Sequence, residues 1–109
     1  MKSGISATMF EQVYEVIRER KQSSPEKSYV ASLLTKGTDA ILKKIGEESA
    51  EVIISAKNKN RDEQIYEITD LWFHLLVLLV DQGLKLEDIS KEFEKRFGQS
   101  GLEERVQRK

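Results

Sequence analysis

The amino-acid sequence predicts an all-α protein of four to five helices. Apolar residues recur at three- and four-residue steps through nearly the whole chain, the spacing that places them on one face of an α-helix. The composition is 39% hydrophobic and 34% charged with one proline in 109 residues, which fits a helical protein better than a β-sandwich. There is no convincing strand and no internal repeat. A chain of this length should form a single domain, residues 1–109, around one modest core.

Two helices are predicted in the first part of the chain. The first should begin near Ser6, and the polar sequence ERKQSSPEKS that follows it is typical of a loop. A short second helix, YVASLLTK, should be capped by Ser28 and stopped by Gly37. The apolar face of the first helix consists of Phe10, Val13, Tyr14 and Ile17.

Three further helices are predicted in the rest of the chain. Thr38 or Asp39 should cap the third, which should extend to about Asn58. The fourth should span residues 61–82 and end at Gly83, since glycine readily adopts the left-handed conformation of a helix stop. The last helix is amphipathic, and its apolar face consists of Ile89, Phe93 and Phe97.

The fourth helix contains the most apolar run of the chain, LWFHLLVLLV at residues 71–80. A membrane-spanning helix needs about 20 such residues, so these ten predict no membrane segment. Because the run is apolar nearly all the way round, other helices must enclose it. Four or five short helices of one chain would hardly suffice, and we therefore expect a homodimer.

Charge and cysteine content exclude several classes of protein. The 18 basic and 19 acidic residues nearly cancel, so the net charge predicts neither a nucleic-acid partner nor a membrane partner. The absence of cysteine excludes disulfides and thiolate metal sites, and it is compatible with a reducing cytoplasm. The N-terminus also lacks the apolar core of a signal peptide. We expect a cytoplasmic protein.

The third helix presents paired carboxylates beside its apolar stripe. Glu47 and Glu48 lie four and three residues before Glu51, so the side chains are neighbours. Like-charged pairs at these spacings cost roughly 0.2–0.5 kcal/mol each in an isolated helix. Glu48 also lies on the core-facing stripe, where an ionised carboxylate is costly unless a positive group compensates it. The apolar residues expected to hold this helix are Ile45, Val52 and Ile53.

The fourth helix repeats this arrangement with Glu67 and Asp70, three residues apart. The small residues Gly46, Ser49 and Ala50 would let the two helices approach closely, so that the acids converge. Mg²⁺ would relieve the repulsion, because it prefers oxygen ligands. Either pair alone is more typical of a solvated acidic face. The two pairs together, beside a core stripe and small residues, favour a metal site.

A di-iron carboxylate site is disfavoured. Bundles of that kind carry a histidine three residues after a glutamate, whereas His74, the only histidine, follows Asp70 by four. His74 lies on the stripe of Glu67 and Asp70, so it is a candidate for holding a carboxylate or contacting substrate. A lone histidine in an apolar helix is more often a hydrogen-bonded structural residue, and both interpretations remain open.

A helical Mg²⁺ site without a glycine-rich phosphate loop suggests hydrolysis of a nucleotide phosphoanhydride. In such sites Mg²⁺ usually keeps several waters and shares its coordination shell with substrate phosphates. The ion neutralises the phosphate oxygens and positions or activates the attacking water. A carboxylate that is not a metal ligand can take the proton of that water as general base.

The acidic pattern, EExxE at residues 47–51 followed by ExxD at residues 67–70, resembles the signature of the all-α nucleoside triphosphate pyrophosphohydrolases of the MazG type. Within that group, the chain resembles the phosphoribosyl-ATP pyrophosphohydrolase family. The resemblance extends from about residue 28 to residue 101. The stretches that carry it are SYVASLLTKGTDAILKKIGEESAEVIISAKN, YEITDLWFHLLVLL and RFGQSG.

This resemblance implies a MazG-like helical bundle completed by dimerisation. It also implies Mg²⁺-dependent cleavage of phosphoribosyl-ATP to phosphoribosyl-AMP and pyrophosphate, the second step of histidine biosynthesis. Glu47 and Glu48 are then the implied catalytic residues, with Glu47 a further metal ligand or the group that orients water. The chain lacks the length and the Cys and His residues of a fused phosphoribosyl-AMP cyclohydrolase domain, so we expect the monofunctional form. The implied metal ligands are Glu48, Glu51, Glu67 and Asp70.

Basic residues near the acids are the candidates for binding substrate phosphates. Lys44 lies three residues before Glu47 and four before Glu48, so it can bind a phosphate or pair with an acid. Arg96 begins RFGQSG, whose two glycines expose backbone N–H groups to a phosphate. Each of these residues also has a solvated-surface interpretation. The predicted substrate-binding residues are Lys36, Lys44, Lys57, Arg61, His74 and Arg96.

Two alternatives remain open at this point. One is a housecleaning pyrophosphohydrolase that acts on another nucleoside triphosphate. The other, from a different class, is a non-catalytic helical dimerisation module whose acids are solvated. Pyrophosphate release from different triphosphates separates the two enzymes, and stabilisation by Mg²⁺ separates an enzyme from a dimerisation module.

Overall fold

The structure, a computed structural model, describes residues 5–98, with side chains described from Met9 onward. This part of the chain folds into five α-helices and contains no strand, which confirms the all-α prediction. The helix boundaries that the sequence predicts agree with the structure to within two residues. The helices are α1 (Ile5–Arg20), α2 (Tyr29–Lys36), α3 (Thr38–Lys57), α4 (Arg61–Gln82) and α5 (Leu86–Phe97).

Side-chain caps explain where α2 and α4 begin. Ser28 Oγ accepts a hydrogen bond from the backbone N–H of Ala31, as predicted, and Asn60 accepts one from the N–H of Glu63 at the start of α4. Each bond satisfies one of the backbone donors that a helix leaves free in its first turn. Gly83 ends α4 with φ 70°, the left-handed stop expected from the sequence.

The predicted cap of α3 is wrong. Gly37, with φ 102°, precedes the helix, and Thr38 and Asp39 are its first two residues. The Thr38 hydroxyl instead donates a 2.7 Å hydrogen bond to Oδ2 of Asp81, 43 residues away near the end of α4. This tertiary bond occupies the group that would otherwise cap the helix, and it joins the start of α3 to the end of α4.

A hairpin of α3 and α4 is the centre of the fold. The two helices pack along each other, α1 packs against α4, and α2 fits against α3. None of the residues of α5 is buried. The buried core lies where α1 and α2 meet the hairpin, and it consists of Ile17, Val30, Leu33, Ile41, Leu76, Val77, Leu79 and Val80.

The apolar run of α4 is only partly enclosed by its own chain. Leu76, Val77, Leu79 and Val80 are buried, but Trp72 is 46% exposed.

The expectation that Ile53 holds α3 against the core is wrong for the single chain, in which this side chain is 63% exposed. The end of the hairpin has a surface of exposed apolar side chains, called here the hairpin-end surface, made of Ile53, Ile54, Ile65, Tyr66 and Ile68.

Among the described residues, none of the helices has both the length and the apolar content required to cross a membrane.

Candidate functional site

Glu48 of α3 and Asp70 of α4 face each other across the hairpin, together with His74 one turn further along α4. One potential ligand atom from each of the three side chains lies within 4.8 Å of the other two. The cause is the register of the two helices, because both acids lie on the stripes through which α3 and α4 pack. The two carboxylates, one from each helix, therefore converge, with Glu48 buried and Asp70 partly exposed.

Glu48 is the more deeply buried of the two carboxylates. Its residue is only 7% exposed, and its Oε1 atom has no hydrogen-bond partner in the described residues. Its Oε2 lies 3.7 Å from Nζ of Lys44, the nearest positive group. Burial raises the pKa of Glu48 to about 7, the neighbouring Asp70 carboxylate adds to the rise, and Lys44 opposes it. A buried carboxylate oxygen without a partner is a position where a cation is favoured.

Lys44 is positioned by the helical repeat to reach two acids at once. Its ammonium group lies 3.8 Å from Oε1 of Glu47 and 3.7 Å from Oε2 of Glu48, one turn further along α3. Both separations are long for an ion pair, and the side chain is 36% exposed. Lys44 can therefore move from the acids towards an incoming anion at small cost.

His74 has no free ring nitrogen, although it belongs to the acidic cluster. Nδ1 lies 2.9 Å from the main-chain oxygen of Asp70, and Nε2 lies 2.8 Å from the hydroxyl oxygen of Tyr29. A carbonyl only accepts, so Nδ1 carries a proton and donates it to this bond. In the neutral ring, Nε2 then accepts a hydrogen bond from the Tyr29 hydroxyl. The ring is 2% exposed and packs edge-on against Phe73.

The other predicted acids lie around this cluster rather than in it. Glu47 and Glu51 are exposed on α3, and Glu67 is partly buried on α4. Glu67 is close enough for its charge to raise the pKa of Glu48.

Of the six predicted substrate-binding residues, Lys44 and His74 contact the acids. Lys36, Lys57 and Arg61 are exposed at helix ends and make no ion pair with the cluster in the described part of the chain. Arg96 donates a 2.8 Å hydrogen bond to Glu92 on its own helix. The rest of the predicted RFGQSG loop, beyond residue 98, lies outside the described residues.

Tyr29 is the residue of this site that sequence reasoning missed. It is the first residue of α2, and its hydroxyl reaches His74, 45 residues further along the chain. Helical periodicity assigns faces within a helix but does not predict which residue of α2 meets which residue of α4. The only signal was its position directly after the Ser28 cap, which is not specific.

The fold and the cluster together define an all-α protein with an acidic site between two packed helices, the architecture expected of a helical nucleotide pyrophosphohydrolase. Comparison with known proteins supports this class of protein and also identifies the family. The profile of the phosphoribosyl-ATP pyrophosphohydrolase family matches residues 10–97. The chain belongs to this family, as the acidic pattern predicted.

Curated relatives cover nearly the whole chain. The phosphoribosyl-ATP pyrophosphatase of Methylococcus capsulatus is 53% identical over 95 residues, which are 87% of this chain and 90% of the relative. That of Aromatoleum aromaticum is 47% identical over 104 residues, 95% of this chain and 96% of the relative. That of Leptospira biflexa is 58% identical over 82 residues, 75% of this chain and 89% of the relative. The similarity thus includes all of α3 and α4.

Proposed function

We propose that this protein hydrolyses phosphoribosyl-ATP to phosphoribosyl-AMP and pyrophosphate, the second step of histidine biosynthesis. The observation that carries the proposal is the convergence of Glu48 and Asp70 in a chain of this family. The relatives from Methylococcus capsulatus and Aromatoleum aromaticum are phosphoribosyl-ATP pyrophosphatases, which supports the same reaction. A cytoplasmic location remains part of the proposal, since a nucleoside triphosphate is the substrate.

The donor set fits a hard divalent cation. The unpartnered Oε1 of Glu48 and the nearby Asp70 carboxylate supply oxygen ligands, which Mg²⁺ prefers. Glu51 and Glu67, one turn away on each helix, are the proposed additional ligands. When bound, Mg²⁺ neutralises charge on the phosphate oxygens and lowers the pKa of a coordinated water. Both ring nitrogens of His74 are already engaged, so we do not include this residue among the ligands.

The chain itself contributes charge and proton transfer. Lys44 is the proposed phosphate contact, since it lies beside the acids and is held only loosely by them. Glu47 is exposed beside the cluster, so its carboxylate can orient the attacking water and accept its proton. Pyrophosphate then leaves with its charge partly balanced by Lys44.

A homodimer belongs to the same proposal. The hairpin-end surface exposes five large apolar side chains, with Ile53 at 63% and Tyr66 at 68% exposure. Large apolar side chains exposed together near one end of a hairpin support an association site there. Trp72 and Leu75, also exposed on α4, continue the apolar character along that helix.

The test is pyrophosphate release by the purified chain. With phosphoribosyl-ATP and Mg²⁺ we expect release, and EDTA should abolish it. Glu48→Gln should lose at least about a hundredfold in rate, because its carboxylate is both a ligand and close to the reacting groups. Glu63→Gln, an exposed acid at the start of α4, is the matched control. Release from another triphosphate but not from phosphoribosyl-ATP would contradict the substrate, and no release from either would contradict the enzyme.

A further inference from the structure

A second feature shares Tyr29 with the surroundings of the acidic cluster. It is an open cavity of about 460 Å³ between α1, the start of α2 and Phe73 of α4. Its walls are mainly apolar, and its volume is in the range typical of small-molecule sites. Met9 and Arg20 both line it, so it runs along α1 for about 16 Å, at 1.5 Å per helical residue.

Tyr29 lines this cavity and is also hydrogen-bonded to a residue of the acidic cluster. Its hydroxyl is bound to the buried His74, and its ring lies near that of Phe73, with centroids 6.4 Å apart and planes inclined by 25°. The residue is nevertheless 53% exposed. Since the hydroxyl is engaged, the part of the side chain available to a ligand is the aromatic ring. An immobilised ring with an open face is suited to stacking on a nucleobase.

Arg20 is the only charged residue that lines the cavity in the described part of the chain. It makes no ion pair or side-chain hydrogen bond with any described residue, whereas Arg18 on the same helix donates to Glu15 at 2.8 Å. A guanidinium group beside an apolar cavity, without a carboxylate partner, is available for an anion. Phosphate is the anion whose geometry it matches best.

The substrate of the proposed function has the same sequence of chemical groups. One end is a triphosphate, the middle is an adenine ring, and the other end is the phosphate of a second ribose attached to that ring. The protein presents an acidic cluster with Lys44, the ring of Tyr29 that is hydrogen-bonded to His74 of this cluster, and an apolar cavity that Tyr29 and Arg20 both line. We propose that the nucleobase lies against Tyr29 in this cavity and that Arg20 binds the phosphate of the second ribose, an inference that rests on the proposed function.

This assignment makes Arg20 the residue that distinguishes phosphoribosyl-ATP from ordinary ATP. His74 acts as a positioning residue, because it fixes Tyr29 without touching the substrate. The apolar cavity alone would accept any adenine nucleotide. The charge on the second ribose phosphate supplies the discrimination, since only that group reaches an unpaired guanidinium.

The test compares the binding of two nucleotides that differ in the phosphoribosyl group attached to the adenine, which only one of them carries. Isothermal titration with the full chain and Mg²⁺ measures the affinity for phosphoribosyl-AMP and for AMP. Arg20→Gln should weaken phosphoribosyl-AMP binding about ten- to a hundredfold, the usual loss for a charged hydrogen bond, and leave AMP binding unchanged. Arg18→Gln is the matched control and should change neither. Tyr29→Leu should weaken both nucleotides to a similar extent.

The outcomes separate this inference from the function on which it rests. Wild-type protein that releases pyrophosphate, with an Arg20→Gln variant of unchanged KM and unchanged phosphoribosyl-AMP affinity, overturns the role of Arg20 and leaves the function intact. Equal losses for AMP and phosphoribosyl-AMP in Arg20→Gln also overturn it. So does a shift of Arg20→Gln towards monomer in sedimentation, since the cavity would then belong to an interface. A raised KM with unchanged kcat is the expected kinetic result.

Discussion

The hydroxyl oxygen of Tyr29 lies 2.8 Å from Nε2 of His74, and this hydrogen bond joins the start of α2 to the middle of α4. Because Nδ1 of the same ring donates to the main-chain oxygen of Asp70, both nitrogens are used. By distance alone, His74 belongs with Glu48 and Asp70 as a potential metal ligand, since one ligand atom of each lies within 4.8 Å of the others. Hydrogen bonding separates them, since the histidine is satisfied and Glu48 Oε1 is not.

The variant Tyr29→Phe tests whether His74 is a hydrogen-bonded structural residue and not a metal ligand. Removing the hydroxyl leaves a buried ring nitrogen without a partner, so the free energy of unfolding should fall by about 1–2 kcal/mol. The affinity for Mg²⁺ should stay within about twofold of wild type, because the carboxylates are untouched. Chemical denaturation and metal titration give the two values. A large loss of metal affinity would show that His74 helps to hold the ion.

The raised pKa of Glu48 predicts a pH dependence of stability in metal-free protein. The ordinary value is 4.5 and the folded value is about 7, so between these limits the unfolded chain releases a proton that the folded chain retains. The contribution of Glu48 to the free energy of unfolding is complete below pH 4.5 and is lost as the pH rises to about 7. Glu48→Gln does not titrate and should lack this loss.

The measurement is the melting temperature of both proteins in EDTA from pH 4 to pH 8. The melting temperature of the wild type should fall relative to that of Glu48→Gln across that interval by on the order of 10 °C, because a rise of the pKa from 4.5 to about 7 corresponds to roughly 3 kcal/mol. Above pH 7 the difference should become constant. Since all other groups titrate in both proteins, a difference that does not vary with pH would contradict the raised pKa.

The Thr38–Asp81 hydrogen bond should stabilise the hairpin measurably. Thr38→Val removes the donor to a partly buried carboxylate, which Gln82 also contacts at 2.8 Å. We expect a loss of about 1–2 kcal/mol in the free energy of unfolding. Thr35→Val, an exposed threonine at the end of α2, is the control and should be close to neutral. Equal effects of the two substitutions would mean that the bond does not contribute.

The hairpin-end surface should determine the oligomeric state. Ile53→Lys places a charge at its most exposed isoleucine, so a dimer formed there should dissociate at concentrations at least about tenfold higher than wild type. Leu84→Lys, at an exposed leucine after α4, should leave the dimer intact. Sedimentation equilibrium measures the dimer dissociation constants of both variants. If the dissociation constant of the dimer is unchanged in Ile53→Lys, the interface lies on another face of the protein.

The features that the sequence predicts correctly are those that depend on local chemistry. Ser28 and Gly83 identify the start of α2 and the end of α4, because cap and stop residues act within a few positions. The convergence of Glu48 with Asp70 was also predictable, since helical spacing places both on core-facing stripes.

The features that the sequence does not predict depend on how helices are rotated and shifted against one another. Thr38 was assigned to a local cap, but Asp81, distant in sequence, takes its hydroxyl. Tyr29 was missed for the same reason. Ile53 shows a further limit, because an apolar residue on a helix indicates burial without saying whether its own chain or a partner covers it. The roles of Glu51 and Glu67 stay predictions.

The most direct test of the account is divalent-metal binding to the wild type and to single variants of the two facing acids. Mn²⁺ replaces Mg²⁺ in this test because electron paramagnetic resonance detects it. It should bind the wild type through carboxylates of both helices. Glu48→Gln and Asp70→Asn should each weaken binding at least about tenfold while the protein stays folded, and Glu63→Gln should not. Wild-type affinity in both Glu48→Gln and Asp70→Asn would contradict a metal site between α3 and α4.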